Sequence, residues 1–401
     1  MTDIDILTGL LQQLDERAGE HTRSVAYYEG RQGITMLAPE IRQALNNRLQ
    51  AVSVNVPRLL VDSIAERLRI VGFRASQDVW ADWLANDLDV QARYVHKEAL
   101  LLGDCFVIVW ADAAGRPLVS VESATQVAAE IDPATRQLVR AVKRWEDKTS
   151  THAVLYERDR IVRFRADSTG ATTLGFRTVE TLANPFGRPP VVRFRNGDRL
   201  LSSGISEMTD VLPLTDALVK LTTDLLTASE YGARPRRWAT GLELTEDDQG
   251  NEINPIPEGD RAMVSESPET KFGQLDGSDL AGYENAIGVT MRLISAVSGL
   301  PEHMLGIGGD NPTSADSIRA SEAALTAKAE ARQATFGKAW ADVARLMIAT
   351  RTGLDPAGID AAPIWADAGT RSIAQEADAI TKLHAQGLIT TDEARAKLGI
   401  Q

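Results

Sequence analysis

The side chains that most often carry chemistry are sparse here, and their spacing assembles no recognised site. The five histidines (His21, His96, His152, His303, His384) are scattered without metal-ligand spacing. A single cysteine, Cys105, excludes an intrachain disulfide and a multi-cysteine metal centre. Its neighbours Phe106 to Val109 make it a core thiol rather than a reactive one, and His96 reads as structural. No Gly-x-x-x-x-Gly-Lys-Ser/Thr occurs, and the glycines at 306, 308 and 309 do not follow a strand bearing a nucleotide fingerprint. Gly204-Ile-Ser206 and Ser298-Gly299 are not nucleophile elbows. Carboxylates are plentiful, but types and spacing assign none as general acid or base. No cofactor and no metal is expected.

The chain has 401 residues, enough for two or three domains around a sizeable core, with 43% hydrophobic and 25% charged residues. The formal charge of −13 weighs against ordinary nucleic-acid affinity, which depends on Lys and Arg displacing phosphate counterions. It remains compatible with a protein that lets DNA pass without holding it. The first residues are acidic rather than basic, so no signal peptide is expected, and no apolar run reaches membrane-span length. Synthesis in the cytoplasm and no membrane partner follow.

The elements that must position any site read as α+β. Ile4, Leu7, Leu11 and Leu14 recur at helical spacing until Tyr27-Tyr28-Glu29-Gly30. A second helix opens near Asn55 and Pro57 and stops before Val71-Gly72-Phe73. A third carries Trp80, Trp83 and Leu84, followed by Tyr94 to Leu102. From Gly103 the period becomes that of strands: Phe106–Trp110, Leu118–Val121, Leu138–Trp145, Val154–Tyr156, Ile161–Phe164 and Val191–Phe194, separated by turn signals such as Asp132-Pro133 and Asn196-Gly197. Val-Arg-Phe-Arg occurs at 162–165 and 192–195, which reads as Phe inward and Arg in water, or as a basic patch.

From Ile205 to Tyr231 helix returns, with Leu214, Leu218, Leu221 and Leu225 on an apolar stripe. That stripe suits either the chain's own core or a neighbouring subunit. Gly241 to Gly277 then holds ten acidic residues against Arg261 and Lys271, with three prolines. A small strand-and-loop module fits, either as a solvated acidic loop or as a docking surface for a basic partner. Helix resumes over 279–298 with Tyr283, Ile287, Met291 and Ile294 on one face. A glycine-rich loop follows. From Ser317 a Pro-free, Ala-rich run should propagate as helix for roughly 50 Å. Ala320 to Ala334 line its first half, Phe336, Trp340, Val343 and Met347 its second, and Gly337 marks a bend. Thr390 with Glu393 and Gly399 frame a short closing helix.

These segments, in this order, resemble the portal proteins of tailed double-stranded DNA phages, especially those infecting actinobacteria. The resemblance is carried by Tyr27-Tyr-Glu-Gly-Arg31, Asn55-Val-Pro-Arg-Leu-Leu-Val-Asp-Ser63, Gly72-Phe-Arg74, Ala99-Leu-Leu-Leu-Gly-Asp-Cys-Phe-Val-Ile-Val109 and Gly204-Ile-Ser-Glu207. Ser298-Gly-Leu-Pro-Glu-His-Met-Leu-Gly306 and Asn311-Pro-Thr-Ser-Ala-Asp-Ser-Ile-Arg-Ala-Ser-Glu322 complete it.

The resemblance implies the portal fold, a dodecameric ring at one capsid vertex, and passage of DNA during packaging and ejection. It implies a wing over 1–204, stem helices over 205–231 and 278–300, and between them a clip over 232–277. A tunnel-loop region over 301–317, a long wing helix over 318–354 and a reduced crown over 355–401 complete the assignment. DNA would face Gly308, Gly309, Asp310, Asn311, Pro312, Thr313, Ser314 and Asp316. The clip's Glu246, Asp247, Asp248, Glu252, Glu258 and Asp260 would meet the terminase packaging motor and the head-tail adaptor. Major capsid and scaffold proteins would be further partners, and the virion the final location. Another ring-forming virion protein, or a cytoplasmic enzyme with an unrecognised site, remains the alternative.

Overall fold

The computed structural model describes residues 2–33, 54–197, 199–200, 203–232, 237–241, 245–246, 252–253, 268–274, 280–307, 315–369, 373–387 and 390–391. The chain divides into two units, one of residues 1–32, 55–215 and 293–401, the other of residues 33–54 and 216–292. In chain order the elements begin with α1 (Asp3–Tyr28), α2 (Val56–Ala65), β1 (Ile70–Ala75), α3 (Trp80–Ala85) and α4 (Leu88–Leu102). Eight strands follow: β2 (Asp104–Ala111), β3 (Pro117–Ser123), β4 (Val127–Ile131), β5 (Leu138–Glu146), β6 (Thr151–Tyr156), β7 (Arg160–Ala166), β8 (Arg177–Ala183) and β9 (Val191–Arg195). Then come α5 (Leu212–Gly232), β10 (Arg237–Thr240), β11 (Thr245–Glu246), β12 (Glu252–Ile253), β13 (Lys271–Gln274) and α6 (Ala281–Ser298). The chain closes with α7 (Ala315–Thr352), β14 (Ala361–Trp365) and α8 (Ile373–Ala385). The α+β expectation holds.

Helix starts follow local chemistry. Thr2 caps α1 by accepting from the Asp5 N–H while the Asp5 carboxylate accepts from the Thr2 N–H, a capping box. Asn55 accepts from the Arg58 N–H and Pro57 sits in the first turn of α2.

In the first unit two antiparallel sheets form, ordered β3-β2-β9 and β4-β5-β6-β7-β8. The apolar run at Cys105–Val109 is the middle strand of the smaller sheet and is wholly buried, which accounts for its lack of polar alternation. Leu7, Leu10, Leu11 and Leu14 of α1 pack on Val142, Leu155, Val162 and Phe164 of the larger sheet. All six expected strands are present. β1, β4, β8 and β14 were not expected, each for a physical reason. β1 pairs with β14, whose sequence position is nearly three hundred residues away, so local pattern carries no trace of the partner. β4 is rich in alanine, and β8 is exposed at almost every position, so neither alternates.

The second unit holds most of α5, the first three turns or so of α6, and two short antiparallel pairs, β10–β13 and β11–β12. Trp238 faces Gly273 in register, and a Cβ on Gly273 would lie 2.3 Å from the indole. Only glycine lets the ring lie across that strand.

The long helix α7 runs for 38 residues, about 57 Å at 1.5 Å per residue. Phe336, Trp340, Val343 and Met347 are fully buried. Trp340 contacts Trp83 and Phe194 edge-on, at centroid distances of 4.9 and 4.7 Å, and its Nε1–H donates to His96 Nε2 at 2.8 Å. Burial pushes the His96 pKa down to about 3, so it stays neutral and can accept that bond. A Cβ at Gly337 would lie 3.1 Å from Trp365 Nε1, so this glycine has a packing reason: it lets β14 approach the helix. Trp340→Ala is expected to cost about 3–5 kcal/mol, read from denaturant melts of the full chain. Trp340→Phe, which keeps an aromatic ring but removes the donor, should cost less.

Candidate functional site

Two glycine-bearing segments distant in sequence are pressed together in the first unit. Gly103 ends α4 at φ +88, and a Cβ there would fall 2.4 Å from the Gly204 carbonyl carbon. A Cβ on Gly204 would fall 2.0 Å from the Gly103 oxygen. Neither position admits another residue without moving backbone. The Glu207 N–H donates to Leu100 O, and Asn196 holds Ile205 from both sides through backbone and side-chain bonds. The lead into α5 is therefore fixed to the end of α4.

A buried carboxylate sits beside each glycine, and each is shared between two cations. Asp104, 2% exposed at its side chain, accepts from Arg17 at 2.7 Å and from Arg193 at 2.7 and 2.9 Å. Arg17 also donates to Gly204 O at 3.1 Å, tying α1 to the same junction. Glu207, 6% exposed at its side chain, meets Lys328 at 3.1 Å and Arg332 at 2.9 Å, both on α7. Burial alone would raise the Glu207 pKa, but the Arg332 and Lys328 charges outweigh it and hold it below the ordinary range. The second Val-Arg-Phe-Arg thus departs from the reading of Phe inward and Arg in water. Phe194 is buried, but Arg193 is also largely buried on Asp104. In the first, Arg163 and Arg165 do stay half-exposed.

The same helix holds both ends of the glycine-rich loop. After α6, Gly299 turns at φ +76 beside Ala324, where a Cβ would lie 3.5 Å from the alanine methyl. Ser295 Oγ donates to Leu300 O, and the Leu300 N–H donates to Ser298 Oγ. A single 3₁₀ turn at Glu302–Leu305 then closes on Gly306 at φ +69. On the far side, Glu322 of α7 accepts from Arg67 at 3.0 Å, both side chains nearly buried, with His303 4.0 Å away.

The expected DNA-facing residues Gly308, Gly309, Asp310, Asn311, Pro312, Thr313 and Ser314 lie outside the described residues; Asp316 falls in the first turn of α7. Of the acidic set, Asp247, Asp248, Glu258 and Asp260 also lie outside. Glu246 and Glu252 occupy directly facing register positions in β11–β12. Along α5, Leu218 is buried while Leu214, Leu221 and Leu225 are half-buried. One surface was not anticipated. Val289, Leu293 and Val297, spaced by four along α6, are 49%, 50% and 45% exposed, on a different face from the stripe read from sequence. Among the described residues no group of acidic, histidine or cysteine side chains could hold a metal, and no described helix is long and apolar enough to cross a membrane.

Comparison with known proteins decides the family. The family described as "Phage portal protein, SPP1 Gp6-like" matches residues 10–399. The chain belongs to the SPP1 Gp6-like portal protein family. It is 29% identical to the portal protein of Mycobacterium phage L5 over 97% of this chain and 84% of that one. Its identity to the portal protein of Mycobacterium phage D29 is 31%, over 96% and 83%. A chain from the neck of an empty gene transfer agent particle shares the fold, with a TM-score of 0.50 at 16% identity over 90% of this chain and 92% of that one. Family membership places the chain among structural proteins of the phage particle, in line with the resemblance.

Glu207→Ala should cost about 3–5 kcal/mol, because it strands Arg332 in a buried site. Since the folded-state pKa of Glu207 is lowered, its contribution is fully present above the unfolded-state pKa (about 4.3) and is lost as pH falls through the lower folded value. The stability gap between wild type and Glu207→Gln, read by urea melts at a series of pH values, should therefore close from about pH 4 downward.

Proposed function

We propose that this portal protein assembles as a closed ring of about a dozen copies at one capsid vertex, and that DNA passes through its centre in packaging and ejection. The observation that carries this reading is the exposed stripe Val289–Leu293–Val297 on α6. Three aliphatic side chains in line on one helix favour burial, and a neighbouring copy offers it. Head-to-tail repetition of such a contact closes into a ring when the rotation allows.

In this reading 1–204 forms the wing, 205–231 and 278–300 the stem helices, 232–277 the clip, 318–354 the long wing helix and 355–401 a reduced crown. The tunnel loop over 301–317 is suspended between fixed ends, the turn after α6 and the start of α7. The charge of −13 suits a conduit, because phosphate contacts to a basic wall would resist a moving duplex. The facing Glu246 and Glu252 positions and the surrounding acidic residues fit a clip that docks basic surfaces on the packaging motor and adaptor. Scaffold and major capsid proteins would meet the wing, and the assembled ring would reside in the virion.

Two outcomes are expected. Leu293→Lys, which places a charge on the exposed stripe, should leave a folded chain whose native mass falls below that of the ring; unchanged ring mass would count against the reading. Asp310→Lys and Asp316→Lys should leave the ring intact but reduce the DNA content of particles assembled with them, and normal DNA content would contradict the conduit argument.

A further inference from the structure

The first unit contains an open cleft of about 1560 Å³ whose charge runs against that of the chain. It is bordered by α1, by β4 and its turn to β5, by β9 with the segment before it, and by the C-terminal half of α7. Arg158, Lys338 and Arg136 line it, are exposed, and make no ion pair among the described residues; the Arg136 guanidinium donates to the Leu200 carbonyl. Between these cations lie apolar walls that include Val127, Leu138, Phe186 and Leu354. The cleft exceeds the roughly 300–1,000 Å³ of an ordinary small-molecule pocket.

His21 adds an independent requirement. It lines the cleft, is 2% exposed, and neither ring nitrogen has a hydrogen-bond partner among the described residues. Burial, followed by the charge of Arg17, pushes its pKa down to about 4, so at neutral pH the ring offers one N–H donor and one acceptor nitrogen. A phosphodiester supplies acceptors only. A polypeptide supplies both kinds of partner, along with apolar side chains for the walls and carboxylates for the cations.

The complementary surface is on the same unit, at the other edge of the three-stranded sheet. The cleft lies along β9, whereas the turn between α3 and α4 is pinned to β3, with the Asn86 side chain bonded to Pro117 O and to the Val119 N–H. Around that turn Leu84, Val90, Tyr94 and Leu118 are 46%, 55%, 58% and 55% exposed. Asp87 and Asp89 beside them are exposed and make no ion pair among the described residues. Acidic and apolar groups on one edge match basic and apolar groups on the other, and such a placement generates head-to-tail contacts.

We infer that the cleft receives the α3–α4 corner of a second copy of this chain, with Val90 and Tyr94 against its apolar walls and Asp87 and Asp89 toward Arg158, Arg136 and Lys338. This rests on the ring reading above and names the wing contact within that ring. The test uses the full chain carrying Tyr94→Cys together with Lys338→Cys, since Cys105 is buried and does not compete. With a short bismaleimide the double variant should give a ladder of covalent multimers, while either single variant gives none. A second measurement uses Arg158→Glu with Lys338→Glu, which should lower the assembled fraction at least tenfold, and Asp89→Lys added to it should restore assembly. If imaging shows rings but the ladder is absent, or the reversed charges change nothing, the interface is overturned and the ring reading stands. If the unsubstituted chain forms no ring, the ring reading fails and the inference with it.

Discussion

The structure depends on holding two carboxylates between cations inside the protein. Asp104 and Glu207 are each almost completely removed from water, and each is balanced by two cations from other parts of the chain. A buried charge with one partner removed is strongly unfavourable, so these pairs specify position more than they add net stability. Asp104 fixes α1 and β9 to the end of α4; Glu207 fixes the lead into α5 to the middle of α7. The glycine pair at 103 and 204 is what allows the two segments to come close enough for both arrangements at once.

That junction explains how a long helix can serve as a spine. The last third of α7 is anchored by apolar and aromatic burial around Trp340, its middle by Glu207 and its first turns by Arg67 through Glu322. The same stretch faces the turn at Gly299. The roots of α5, α6 and the glycine-rich loop are therefore referred to one rigid element. For a protein through which a polymer is proposed to move, this separates a stiff frame from the short segments next to the polymer.

Much of this was legible from sequence, and the parts that were not have specific causes. Strands with clear apolar character, such as Phe106–Trp110 and Ile161–Phe164, were found, because burial imposes a pattern within a few residues. β1 and β14 escaped because their pairing is remote, and β8 because its surface is wet on nearly every side. The Ala-rich helix was read nearly to its ends, but Gly337 took its meaning from Trp365, a contact no local rule contains. Glu207 stood inside a recognised segment, yet nothing local singles out its partners Lys328 and Arg332 on an alanine-rich helix. Of the apolar face read for α6, Ile294 is buried and Tyr283, Ile287 and Met291 are half-buried. The exposed Val289–Leu293–Val297 line is visible at the same helical spacing, and only burial separates the two.

The most direct test of the account is the native mass of the purified full-length chain, with negative-stain images of the same sample. A ring of about a dozen subunits around an open channel is the expected result. A compact dimer without a channel would contradict it.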